Sequence, residues 1–274
     1  MILDTKLKIK NIVISGSLLL LLGCSSSDEK QTVTTMNQLV KQDEFNVDGA
    51  TDGSMWNIET GIGPNNDGWG NNELEYYTSF PQNIKVEGGV LKITAIKEAY
   101  MGKGYTSARI TSKGKFEQKH GRFEARIKMP WGKGVWPAFW LLGANSSTVS
   151  WPQCGEIDIM EYLGNNPTSV FGTVHGPGYS GANAISKVFN LTNDRFDTGY
   201  HIFGIEWGED YINYYVDNVL YNQITPAKAP GEWVFNQPFY IILNVAVGGN
   251  LPGSPNNETV FPQTMLVDYV RVYQ

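Results

Sequence analysis

The sequence predicts an all-β chain, folded as an antiparallel sandwich or jelly roll. Three observations lead there. Short runs rich in β-branched and aromatic residues recur along the chain, broken by Gly, Pro, Asn and Asp. No segment carries a convincing helical period. The composition, with 30 Gly, 8 Trp and 14 Tyr, suits many tight turns and aromatic-lined sites. At 274 residues and 41% hydrophobic, the chain is long enough for one sizeable core, and all-β domains of this size commonly form a single unit.

The elements follow in chain order. Lys6, Lys8 and Lys10 precede an apolar run over 12–22, too short to span a bilayer. Leu21-Leu22-Gly23-Cys24 then resembles a bacterial lipobox, so residues 1–24 read as a lipoprotein signal segment with Cys24 as the acylated residue. The chain is thus expected to be exported and held at the outer membrane, exposed at the cell surface, through a lipid on Cys24. Residues 25–42 are polar and read as a flexible tether. The folded domain is placed at 43–274. Its strand candidates are 83–86, 90–96, 107–112, 121–129, 137–142, 156–162, 169–175, 201–207, 211–216, 239–247 and 266–273.

Charge and cysteines narrow the function. A formal net charge of −6, with no basic run beyond the first ten residues, argues against a nucleic-acid partner. With Cys24 lipidated, Cys154 has no partner for a disulfide and reads as a small buried hydrophobe. His120, His175 and His201 are too dispersed for a zinc motif.

The stretch Glu156-Ile157-Asp158-Ile159-Met160-Glu161 carries the chemistry. Strand side chains alternate faces, so Glu156 and Asp158 share one. Glu161 falls on the opposite face unless one extra residue, a β-bulge near Met160, restores the parity. The bulge would align all three acids above Ile157 and Ile159. Two glutamates so placed, roughly 13 Å apart at their Cα atoms, can bring their carboxyls to about 5–5.5 Å, as retaining glycoside hydrolysis requires. The same spacing also fits a solvated acidic strand face. Trp136 and Trp140, four apart, share a strand face and read as sugar platforms or as a core pair. Trp151 reads as a wall beside the acids.

These residues, with Trp69-Gly-Asn-Asn-Glu-Leu-Glu-Tyr-Tyr-Thr78, Ser107-Ala-Arg-Ile-Thr111, Gly121-Arg-Phe-Glu-Ala-Arg126, Trp136-Pro-Ala-Phe-Trp-Leu-Leu142, Gly172-Thr-Val-His-Gly176 and Val267-Asp-Tyr-Val-Arg-Val-Tyr273, resemble glycoside hydrolase family 16. The bulged E-x-D-x-x-E spacing and the flanking motifs look most like its laminarinases, which are endo-β-1,3-glucanases. The resemblance implies a β-jelly roll of two curved antiparallel sheets with a concave substrate cleft. It implies Glu156 as nucleophile, Glu161 as general acid and then base, and Asp158 as the residue that orients Glu156, with a β-configured product. Asn72 and Glu73 match residues that bind sugar hydroxyls. Arg109 is expected to bridge hydroxyls, and His175 to lie near the acid/base and touch the leaving sugar. Catalysis needs no cofactor, but the family's structural Ca²⁺ maps to Glu44, the Gly89 carbonyl and Asp268. A monomer is expected. The alternatives are a hydrolase of mixed-linkage β-glucan or a red-algal galactan of agarase, porphyranase or carrageenase type, and a transglycosylase.

Overall fold

The computed structural model describes residues 34–274. The signal segment, Cys24 and the first half of the expected tether lie outside the described residues. Two large antiparallel sheets face each other, and among the described residues the only helical turns are short ones.

The sheet that carries the acids runs in the order β13 (Ile185–Asn190), β12 (Ser169–His175), β11 (Glu156–Tyr162), β10 (Val135–Gly143), β17 (Phe239–Val247), β7 (Arg109–Thr111) and β2 (Asn57–Glu59), with β8 (Glu117–Gln118) also on β17. The back sheet runs β16 (Val219–Ile224), β15 (Ile212–Val216), β14 (His201–Trp207), β9 (Gly121–Lys128), β18 (Gln263–Tyr273), β5 (Leu91–Ala95) and β4 (Ile84–Val86). A small pair, β3 (Glu75–Tyr77) with β6 (Tyr105–Ser107), is parallel.

Alternation divides each strand between core and surface. Phe139 and Leu141 of β10, Val170 and Val174 of β12, and Ile241, Leu243 and Val245 of β17 join one core cluster with Phe123, Ala125 and Ile127 of β9 and Phe203 and Ile205 of β14. Strand β11 breaks the alternation. Asp158 pairs with Thr173, but Glu161 pairs with Phe171, so three residues on β11 oppose two on β12. On the other side Met160 pairs with Phe139 and Asp158 with Trp140, which leaves Ile159 as the extra residue. The bulge lets Ile157, Ile159 and Met160 all enter the core while Glu161 turns outward.

Three expectations need correction. The folded domain begins before residue 43, because β1 (Leu39–Asp43) pairs with β18 and the main-chain amides of Thr35 and Met36 both donate to the buried Glu206 carboxylate. Residues 35–42, read as tether for their polarity, are thus tied to the back sheet. The run 107–112 is two strands: it breaks at Ala108, and β6 pairs with β3 while β7 pairs with β17. The strand expected at 211–216 is β15, and it turns back into a further strand, β16, that was not expected. The turn, Asp217-Asn218, has φ of 48° and 65°, the left-handed pair that a two-residue hairpin demands.

Phe139 is fully buried, between Met160 of β11 and Leu243 of β17. Phe139→Ala is expected to destabilise the fold by about 3–5 kcal/mol. Urea unfolding checks this, and a loss under about 1 kcal/mol would contradict the packing described.

Candidate active site

The three acids line the outer face of the site sheet. Glu156 lies opposite His175, Asp158 between Thr173 and Trp140, and Glu161 between Phe171 and Ala138. Asp158 is buried, and the side chains of Glu156 and His175 are 18% and 14% exposed.

Each glutamate has its own indole donor. Trp151 Nε1 donates to Glu156 Oε2 at 3.0 Å, and Trp136 Nε1 donates to Glu161 Oε1 at 3.2 Å. The two tryptophans thereby orient the two glutamates, and Trp151 itself is half exposed. His175 serves the other flank. Its Nδ1 accepts from the Gly181 main-chain N–H at 3.1 Å, so the ring proton sits on Nε2. That nitrogen lies 3.1 Å from Asp158 Oδ2 and 3.6 Å from Glu156 Oε1. The antiparallel register puts His175 directly opposite Glu156, both of its ring nitrogens face protein groups, and it also acts electrostatically on Glu161.

Removal from water dominates the electrostatics. Desolvation first, and mutual repulsion with Asp158 second, push Glu156 and Glu161 up to about 8. Desolvation likewise raises Asp158 to about 8. The three titrate as one unit. Donors flank both glutamates: Glu156 has the Trp151 N–H on one oxygen and faces His175 Nε2 with the other, Glu161 has the Trp136 N–H and the Thr173 side chain, and a hydrogen bond from Glu156 favours the charge on Asp158. Cys154, two residues upstream, is buried, and desolvation pushes its thiol up to about 11, which keeps it an inert packing residue.

A second group of residues forms the floor toward β7 and β2. Trp140 Nε1 donates to Asn244 Oδ1 at 2.8 Å, Asn244 Nδ2 to the Tyr77 hydroxyl at 3.1 Å, and that hydroxyl to Glu73 Oε2 at 3.2 Å. Arg109 lies between two indoles, 4.3 Å from the ring centre of Trp69 and 4.8 Å from that of Trp140, and its Nε donates to Glu59 at 2.5 Å. Arg109, expected to bridge hydroxyls, is buried and stacked against Trp69 and Trp140. Glu73 is also buried, with both oxygens accepting protein donors. Asn72 remains exposed, its amide donating to Asn250 Oδ1 at 2.9 Å. The coil at Gly68–Asn72 that presents these residues requires Gly68, at φ 66°: a Cβ there would stand 2.4 Å from the Glu73 nitrogen.

Sequence reasoning left Trp69, Tyr77, Glu75 and Asn244 without roles. Asn244 carried a signal, as the lone polar residue in the apolar run of β17.

The expected calcium residues lie elsewhere. Glu44 accepts Arg271 with both oxygens, at 2.7 and 2.9 Å, and Asp268 Oδ2 accepts Arg126 at 2.7 Å. The Glu44 carboxylate is thus taken, and a hard cation there would rest on the remaining Asp268 oxygen and on main-chain carbonyls.

Comparison with known proteins agrees with this geometry. The sequence profile of glycosyl hydrolases family 16 matches residues 71–271. A beta-glucanase of Rhodothermus marinus is 39% identical over 98% of this chain and 97% of its own length. The catalytic domain of an endo-1,3-beta-glucanase (laminarinase) from Thermotoga petrophila superposes with a TM-score of 0.83 at 49% identity, over 88% of this chain and 99% of that one. A laminarinase from Flavobacterium sp. gives 0.80 at 44% identity, over 86% and 100%.

The raised carboxyls fix a pH dependence of stability. Unfolded carboxyls titrate near pH 4, so folding takes up protons between about pH 4 and 8. Stability from these groups is complete below pH 4 and is lost as pH rises through about 8. Glu161→Gln is therefore expected to raise Tm over wild type at pH 8 and to lose that advantage at pH 4. Scanning calorimetry at both values checks it, and an equal gap at each would contradict it.

Proposed function

The chain belongs to glycoside hydrolase family 16, and from that premise we propose that it cuts laminarin-type β-1,3-glucan internally, with retention of configuration. The observation that carries the reading is the bulged strand β11, which sets two glutamates on one face with a separate indole donor for each. The names of the relatives, beta-glucanase and laminarinase, support the substrate class.

The chemistry follows from the donors. Glu156, its anion supported by Trp151 and faced by His175, attacks the anomeric carbon and displaces the leaving sugar. Glu161, held neutral by desolvation and the neighbouring negative charge, protonates the departing oxygen. The covalent glycosyl-enzyme then yields to water, with Glu161 as base. Asp158, buried between them, fixes the orientation of Glu156. Trp136 and Trp140 offer flat faces to pyranose rings.

Charge argues against a sulfated galactan. Among the described residues all five arginines face carboxylates: Arg109 with Glu59, Arg122 with Glu124, Arg126 with Asp268, Arg195 with Asp197 and Arg271 with Glu44. None is free to meet a sulfate in the cleft.

The lipid anchor at Cys24 and the surface location remain part of this proposal, as does a structural calcium at Asp268. Chelator is expected to lower the Tm of wild type and to leave that of Asp268→Ala unchanged; an equal response in both proteins would remove the calcium.

On a soluble form starting after Cys24, reducing-end release from laminarin is expected to fall by at least ~10³-fold in Glu156→Ser. Release only from agarose or carrageenan would keep the mechanism and overturn the substrate.

A further inference from the structure

Glu75 is the most deeply buried acid outside the catalytic strand. Its exposure is zero. One oxygen, Oε2, accepts the Val247 main-chain N–H at 2.6 Å. The other, Oε1, has no N–H or O–H donor. The Glu73 carboxyl lies within hydrogen-bond reach of the Glu75 carboxyl. Two carboxyl groups in contact inside a protein cannot both be ionised, and a proton between them turns the repulsion into a strong hydrogen bond.

The direction of that bond can be read from the neighbours. Glu73 Oε1 accepts from Asn71 Nδ2 at 3.1 Å, and Oε2 accepts from the Tyr77 hydroxyl. Glu73 is an acceptor on both oxygens, which suits a carboxylate, whereas Glu75 has one donor and one empty oxygen. The proton therefore belongs to Glu75. Beyond Tyr77 the polarity is uniform. The indole of Trp140 donates to Asn244, Asn244 donates to Tyr77, and Tyr77 donates to Glu73. Every donor points toward one anion.

We propose that Glu75 keeps its proton in the working enzyme and donates it to Glu73, and that this buried acid–carboxylate pair anchors the relay that holds Trp140 in the cleft. Glu75 is thus a positioning residue for the sugar platform. It touches no substrate and acts through Glu73, Tyr77 and Asn244.

The surroundings support the assignment. Burial, and then the Glu73 charge, hold the Glu75 carboxyl well above the usual range. The titratable groups of its own segment that face it are Glu73 and Tyr77. Strand β17 contributes only the Val247 amide. Arg109 on β7 acts on Tyr77, and Lys103 bonds the main-chain carbonyl of Glu73. Because the Glu75 value is raised, the pair keeps its proton below that value and loses it as pH rises through it. Deprotonation would set two anions against each other at the root of the relay.

The test compares wild type, Glu75→Gln, Glu75→Leu and Tyr77→Phe. Gln supplies a neutral donor in place of the acid. Glu75→Gln is expected to keep KM for laminarin within about two-fold of wild type at pH 7, whereas Glu75→Leu and Tyr77→Phe raise it roughly five- to ten-fold with a smaller change in kcat. The wild-type KM climbs at alkaline pH, and that of Glu75→Gln stays flat. Infrared spectra at pH 7 are expected to show a neutral-carboxyl band in wild type, one component of which is lost in Glu75→Gln. A KM in Glu75→Gln as poor as in Glu75→Leu overturns the proposal, as does an unaltered carboxyl band. If Glu75→Leu does not fold, a wild-type KM in Tyr77→Phe overturns it. The KM readout rests on the β-1,3-glucanase reading of the cleft; the infrared readout does not, so failure of wild type on laminarin would sink that reading alone.

Discussion

A glutamate without hydrogen-bond partners is costly in the apolar core between two sheets, and the active site depends on that constraint. In Glu156–Tyr162, strict alternation would send Glu161 into the core and Met160 out to the cleft. Burying a carboxylate there costs many times what a bulge costs. The strand therefore inserts one residue at Ile159, and Ile157, Ile159 and Met160 all reach the core. The same insertion that protects the core brings the third acid to the face of the other two. Fold stability and catalytic geometry are settled by one local event.

Once there, the acids are held by nitrogen donors. Trp151, Trp136 and His175 each supply an N–H toward the trio, and no lysine or arginine makes an ion pair with it among the described residues. A cation beside the glutamates would ionise both. Indole donors orient a carboxylate without settling its charge, which suits a pair that must hold one proton between them. The floor beyond Trp140 follows a related plan. Its polar groups are joined in a relay that ends on a buried carboxylate, and Arg109 is confined between Trp69 and Trp140.

The catalytic strand was legible in the sequence because its information is local. Six residues carry the alternation, the parity fault and the acids that demand its repair. Trp136 and Trp140 were legible for the same reason. What depended on register was not. His175 could be placed near the acids, but only the pairing of β11 with β12 shows which acid it faces. The relay was still less accessible, since Tyr77 and Asn244 lie 167 positions apart and meet only when β17 is in place. The burial of Arg109 and Glu73 was not legible, because burial cannot be seen in a motif. Strand β1 was missed because Leu39–Asp43 is a polar edge strand whose only strong signal is its partner, β18.

The central claim is that the bulge sets Glu156 and Glu161 as the two partners of a retaining reaction. The most direct test is the anomeric configuration of the first product, followed by proton NMR as laminarin is cut. The account requires the β-anomer to form first and the α-anomer to appear only by mutarotation. An initial α-product would mean that water attacks directly, and that the two glutamates do not play the parts their placement gives them.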